Sequence, residues 1–351
     1  MHTFLLIFNI IFMGLKQNFV ISLLVLFMFS CTNTSDKNSN IESIKGISLQ
    51  SSSFQNELII RPPQALDLWN DDLLVFSAGT DGFITICNKE NLSCKSKMGK
   101  IGGGPNEFIS PQYAGIVQNK YINIYDFNLR QLSKVEITQD NRCVAFSKVK
   151  LKDDDLFVTN LHVLNDNYIL GSVLMGMNEP IVLMDADLNV IDSFGGVTEG
   201  LGIDSIKDIK SYIGRFSSCK DYFIHAMNDL GYLACYKLSD GKVVKQWEFY
   251  AEQPIFNDGM LNKRRLKDGF WDVSIKNNQV YVIYNGKTYD ERKDKSKRFP
   301  TTILVFDLYD GNLCKKYITD KDICRFVLDE DGVIYGVGTN PEVEIVKYIL
   351  P

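Results

Sequence analysis

An apolar run, an Asn- or Asp-rich turn and a second apolar or aromatic run recur along most of the chain. Asn70-Asp71-Asp72 leads into Leu73-Leu74-Val75-Phe76, and Gln118-Asn119-Lys120 into Tyr121-Ile122-Asn123-Ile124-Tyr125. Asn165-Asp166-Asn167 precedes Tyr168-Ile169-Leu170, and Cys219-Lys220-Asp221 precedes Tyr222-Phe223-Ile224. The last two copies are Lys276-Asn277-Asn278-Gln279 before Val280-Tyr281-Val282-Ile283-Tyr284, and Asp329-Glu330-Asp331-Gly332 before Val333-Ile334-Tyr335. The second runs start about 47 to 58 residues apart, the size of a four-stranded propeller blade. Two further strands follow in most copies, such as 181–184 and 190–194, or 232–237 and 244–249. Their turns, such as Asp185-Ala186-Asp187-Leu188-Asn189 and Ser239-Asp240-Gly241, carry the residues that hairpins require. The pattern predicts an all-β fold, a six-bladed β-propeller with four-stranded blades.

The last copy is short by one strand, since only residues 343–349 follow it. Residues 47–61 form an extra strand-like stretch ahead of the first copy. The expectation is that this N-terminal strand closes the last blade and covers its open edge.

Composition adds to this picture. The 351 residues are 45% hydrophobic and 12% aromatic, which suits a sizeable core and favours strands. A formal net charge of −5 argues against a nucleic-acid partner.

The N-terminus reads as a targeting segment. Lys16 supplies a positive region, and residues 19–29 an apolar stretch of about 11 residues. Met28-Phe29-Ser30-Cys31 and a polar run follow, resembling a bacterial lipoprotein signal with Cys31 as the acylated residue. The apolar stretch is too short to span a bilayer as a helix. Residues 1–12 are extra apolar sequence ahead of it, so translation is expected to start at Met13. The expected division is a signal peptide over 1–30, a flexible tether over 31–46 and a propeller over 47–351. The expected location is the cell envelope, lipid-anchored by palmitate or a related acyl chain, in the outer membrane, with the lipid as the sole membrane contact.

Seven other cysteines contain no Cys-x-x-Cys, which argues against a zinc ribbon or thioredoxin-type site. Cys87 and Cys94 flank a hairpin turn and are placed to pair; the alternative is that most of the cysteines are small buried hydrophobes. Of three histidines, His2 lies in the signal and His162 and His225 fall on strands of different blades. No Gly-x-Ser-x-Gly is present, so a nucleophile elbow is not indicated. Asp153-Asp154-Asp155 and Asp185-Ala186-Asp187 read as turns rather than calcium loops. No metal or cofactor is expected.

The irregular sequence collects between second and third strands and between blades, at 102–111, 126–130, 175–180, 195–213, 251–269 and 287–300. In an up-and-down blade all of these lie at one end of the ring, and long loops on a rigid scaffold concentrate binding residues. That end is the expected working face. The basic stretches at Lys263-Arg264-Arg265 and 287–298 read as solvated loops. Arg215, Trp271, Asp272 and Arg325, at the starts of first strands, are candidates for a polar pocket at the channel mouth, and Arg130 joins them as a candidate on the loop face.

Gly102-Gly103-Gly104-Pro105-Asn106-Glu107-Phe108 looks like a phosphate cradle, but no Lys-Ser/Thr and no helix follow it. The reading is that Gly102, Gly104 and Pro105 shape the link between the first two blades, with Phe108 packed inward. This segment, from Met98 to Phe108 with Pro111 beyond, resembles the Gly-x-Gly-Pro-x-Glu-Phe/Tyr signature of the TolB-like six-bladed propeller lipoproteins of Bacteroidetes, with Glu107 as its acidic position. Tyr125-Asp126 and Arg130 carry a more distant likeness to NHL-type repeats. The resemblance implies fold and location and no particular chemistry. The leading functional expectation is a monomeric, non-enzymatic lipoprotein that binds a protein, peptide or glycan over the long-loop face. The alternative is a propeller-type hydrolase, lactonase or lyase with its site at the channel mouth.

Overall fold

The computed structural model describes residues 41–52, 54, 61–79, 81–104, 107–118, 120–137, 143–196, 209–294 and 299–351, without the side chains of 143, 145 and 146. The signal, Cys31, Met13 and Pro105 lie outside the described residues. Before the first blade stands one short strand, β1 (Gly46–Leu49). Blade one comprises β2 (Ala65–Trp69), β3 (Asp72–Gly79), β4 (Gly82–Asn88) and β5 (Cys94–Met98). Blade two comprises β6 (Pro111–Val117), β7 (Tyr121–Asp126), β8 (Gln131–Ile137) and β9 (Cys143–Lys150). Blade three is β10 (Phe157–Val163), β11 (Tyr168–Met175), β12 (Ile181–Asp185) and β13 (Val190–Phe194), and blade four is β14 (Gly214–Cys219), β15 (Tyr222–Met227), β16 (Tyr232–Ser239) and β17 (Lys242–Tyr250). A small ribbon of β18 (Phe256–Asn257) and β19 (Met260–Leu261) follows. Blade five is β20 (Phe270–Lys276), β21 (Gln279–Tyr284), β22 (Thr302–Asp307) and β23 (Leu313–Thr319); blade six is β24 (Arg325–Leu328), β25 (Val333–Gly338) and β26 (Glu344–Ile349).

Every blade is an antiparallel meander, and the predicted six-bladed propeller is the fold. Each recurrent turn joins the first and second strand of a blade. The chemistry of these turns is local: Asn70, Gln118, Lys220, Asn277 and Asn278 take positive φ there, a region that Asn tolerates better than most residues. In blade three, Asn165 Oδ1 accepts the amides of Asn167 and Tyr168. The second and third strands are the buried ones. Val75, Ile84, Leu183, Phe223, Val282 and Phe306 have no exposed surface, because each of those sheets is covered on both faces by the neighbouring blades. Aromatic rings fill these inter-blade layers, as where Phe249 meets Phe306 at 4.9 Å.

The N-terminal stretch was expected to close the last blade. It does so at a narrower contact, and an additional one was not anticipated. Ser52 forms an antiparallel bridge with Lys347 on the edge of β26, its amide 2.9 Å from the Lys347 carbonyl, and Phe54 stacks on Tyr335 at 6.5 Å. Ahead of it, β1 lies parallel to β23 and makes blade five five-stranded. The two are joined by Ser51, whose amide and hydroxyl both donate to Asp320 at 3.1 and 2.9 Å. One segment thus covers the outer edges of two adjacent blades.

Candidate functional site

The six first strands surround the axis, each paired on one side only, so their free edges face an axial channel. Three of them carry bulges: β6 between Tyr113 and Ile116, β10 between Thr159 and His162, and β20 between Phe270 and Asp272. Bulges re-aim side chains and are common beside sites. Gly115 (φ 106°) and Asn160 (φ 49°) absorb two of these irregularities in conformations that few side chains tolerate.

The channel has two compartments. The larger, about 670 Å³, runs from Gln64, Arg215 and Asp272 to Asn70, Lys220 and Asp329–Asp331 at the end with the short turns. The smaller, about 180 Å³, lies between Gln64, Gln112, Tyr113, Asn160 and Arg215 toward the end with the long loops. Arg215, Tyr113, Asn160 and Gln64 line both and so form the throat between them.

Most polar groups at the throat are already engaged. Gln112 Oε1 accepts from Thr159 Oγ1 and from the Asn160 amide, both at 3.1 Å, and Asn160 Nδ2 donates to the Gly214 carbonyl at 3.0 Å. Tyr113 donates its hydroxyl to Asp67, which also accepts the Leu68 amide at 2.7 Å. Burial raises the affinity of Asp67 for its proton, opposed by those two hydrogen bonds and by Lys276; burial and the Asp67 charge hold Tyr113 well above the ordinary phenol range. His162 shares a 2.9 Å hydrogen bond with Ser218, and burial lowers its pKa to about 4, so it is a neutral imidazole.

Arg215 is different. Its side chain makes no hydrogen bond or ion pair with any described residue, and it stands half-buried at the wall of both compartments. Its pKa falls to about 10 through burial first and the neighbouring Arg325 second, with Asp272 opposing. Asp272 accepts the Phe326 amide at 3.0 Å, and burial raises its proton affinity against the pull of both arginines.

The other candidates from the sequence serve the fold. Arg325 donates to the carbonyls of Gln64 (2.8 Å), Trp271 (3.1 Å) and Cys324 (2.5 Å), stitching blades five, six and one together where the ring closes. Trp271 packs edge-on against Phe299 at 5.4 Å. Arg130 donates to the carbonyls of Asp153 and Leu156 (2.9 Å) and pairs with Asp154 at 3.2 Å, fixing the link into blade three. The long-loop end was the expected working face; among the described residues, charged groups there hold loops down, as where Asp268 binds Asn285 at 2.9 Å and Arg292 at 3.1 Å. Most of the cavity lies toward the opposite end.

The Gly-rich segment also behaves as a link. The Glu107 carboxylate accepts the Gly104 amide at 2.8 Å, Phe108 is buried, and a side chain at Gly102 would sit 2.3 Å from that carboxylate. Asp126 accepts the amides of Ile109 (2.6 Å), Ser110 (3.2 Å) and Leu129 (3.2 Å) from the segment and from its own turn. A match to the model of the TolB-like 6-blade propeller-like family runs over residues 39–331. The chain belongs to that family. As a TolB-like propeller it superposes on an exported protein of Bacteroides fragilis with a TM-score of 0.57 at 13% identity, over 88% of this chain and 96% of that one. A duf4221 family member from Bacteroides vulgatus gives 0.57 at 13% identity over 87% and 97%. The Cps50 (Swd1) β-propeller domain of Myceliophteria thermophila gives 0.52 at 10% identity over 84% and 99%. At such identities the likeness is one of fold. No curated protein matches this TolB-like chain in sequence.

Sequence reasoning missed Asp67, Tyr113 and Asn160, and placed His162 on a strand without a role. Their common signal is position: each lies on the run just ahead of a recurrent turn, the run that forms the channel wall. Among the described residues no group of His, Cys, Asp and Glu is arranged to hold a metal, and Asp153 and Asp185 cap their own turns. Cys87 and Cys94 oppose each other across β4 and β5 but are not bonded; Cys87, Cys235 and Cys324 are buried, while Cys94 and Cys314 are exposed.

Proposed function

We propose that this TolB-like chain is an exported, lipid-anchored binding protein that holds a small ligand in its axial channel. The observation that carries the reading is the concave cavity of about 670 Å³ on which the six first strands converge, its lining more polar than apolar, with charged groups placed to orient a ligand. Export is supported by the Lys16, apolar and Ser30-Cys31 pattern and by the exported B. fragilis relative. The channel is preferred to the long-loop face because, among the described residues of that face, charged groups such as Arg130, Asp268 and Arg292 hold loops down.

The test is thermal melting of the mature full-length protein against a small-molecule panel, repeated with Ser274→Trp. Ser274 lines the cavity, and an indole there narrows it. A ligand that raises the melting temperature of the wild type but not of Ser274→Trp supports the reading; ligands that stabilise both equally refute it. Lipid attachment is tested by labelling cells with a radioactive fatty acid, with label expected on the wild type and lost in Cys31→Ala. A second reading, hydrolase or lyase chemistry at the same place, is favoured by the two carboxyls of raised proton affinity, Asp67 and Asp272. It predicts turnover of the bound ligand, abolished by Asp272→Asn.

A further inference from the structure

Resting on the channel reading, we infer that the ligand is a small organic acid whose carboxylate is taken by Arg215 at the throat.

The argument is one of an unpartnered donor. Arg215 and Arg325 are close enough to repel, and Asp272 is the carboxylate that faces both. Arg325 is satisfied by three backbone carbonyls, and Asp272 already accepts a backbone amide. Asp67 is occupied by the Tyr113 hydroxyl and the Leu68 amide. Lys276, further along the channel, pairs with Glu330. Arg325 and Asp272 are thus engaged by backbone groups, and of the three only the Arg215 side chain holds no partner among the described residues. A guanidinium presents five N–H donors in a planar fork that matches a carboxylate edge-on. Half-buried at the throat with its donors unengaged, it is free to take a ligand carboxylate in charge-assisted hydrogen bonds. Around it the cavity offers the hydroxyls of Ser217 and Ser274 and apolar surface from Phe216, Val273 and Ile275, room for the remainder of a small molecule.

The experiment is calorimetric titration of the mature full-length protein with sodium gluconate and sodium hexanoate, each against its neutral counterpart, sorbitol and hexanol, and against inorganic phosphate. The expected result is binding of at least one acid and of neither neutral counterpart, weakened roughly 10- to 100-fold in Arg215→Met by loss of the charged hydrogen bonds. The inference is overturned if neither acid binds at roughly 10 mM, if the neutral counterparts bind as well, if phosphate binds as tightly as the acids, or if Arg215→Met retains full affinity. An acid whose binding survives both Ser274→Trp and Arg215→Met lies outside the channel and overturns the channel reading itself. One lost in Ser274→Trp but kept in Arg215→Met overturns only the role of Arg215.

Discussion

Replacing Asp126 tests whether the Gly-rich link is held by one buried carboxylate. Asp126 is 1% exposed and accepts the amides of Ile109, Ser110 and Leu129. Hydrogen bonds to charged groups contribute roughly 1.5–3 kcal/mol each, so three lost without relaxation would cost roughly 4.5–9 kcal/mol. Relaxation is available here: Ile109 is 45% exposed and Leu129 40% exposed, so both segments lie at the surface and can shift to turn their orphaned amides toward water. Allowing for that, Asp126→Ala costs about 3 kcal/mol. Asp126→Asn keeps one acceptor oxygen but turns an NH2 toward a donor, and costs about 2 kcal/mol. At roughly 2 °C per kcal/mol for a domain of this size, the alanine variant melts about 6 °C lower. Urea unfolding followed by circular dichroism measures it, with an unchanged m-value showing that the loss is in the folded state. An alanine variant within about 1 °C of the wild type, or an asparagine variant worse than the alanine one, would refute the reasoning.

Three other outcomes follow from the same structure. His225 is fully buried, and burial lowers its pKa from 6.5 to about 4. The unfolded chain takes up its proton through pH 6.5 while the folded one waits until about 4, so the stability this residue contributes is complete above 6.5 and lost as pH falls between those values. An imidazole resonance of His225 titrating near 6.5 in the folded protein would contradict this. Burial raises the thiols of Cys87 and Cys235 to about 12 and of Cys324 to about 11, so a thiol reagent at neutral pH should label Cys94 and Cys314 and spare these three until urea is added; mass spectrometry of digests reads the sites. Gly102→Ala forces the Glu107 carboxylate away from the Gly104 amide and should lower stability by about 1 kcal/mol, with Glu107→Gln in the same background adding little; a large further loss in the double variant would show that Glu107 acts elsewhere.

Much of the fold was legible because blade geometry is enforced locally. Asn70, Asn165 and Asn277 can be read as turn residues from their own chemistry, and the doubly buried second and third strands show as apolar runs such as Leu73-Leu74-Val75-Phe76. The channel was far less legible. A first strand has one neighbour in its sheet and contacts both adjacent blades, so polar and apolar residues mix without a clean period, and Asp67 or Tyr113 looks like any strand residue. Of the charged candidates, Arg215 and Asp272 line the cavity, whereas Arg325 and Arg130 bind backbone carbonyls. Sequence marks such arginines as available donors but cannot say which carbonyls the fold brings to them. The parallel pairing of β1 was invisible for a related reason, since its partner β23 lies over 260 residues away and no turn announces it.

That pairing has a mechanical consequence. Because β1 runs alongside β23, a pull on the chain ahead of Gly46 acts along the strand, and the hydrogen bonds between Gly46–Leu49 and residues 316–319 resist it together in shear rather than one after another. Past β1, Ser51 on Asp320 and Ser52 on Lys347 stand next in line. Tension from that side must therefore strip blade five before it reaches the seam of blade six, so the ring stays shut while its outer strand takes the strain.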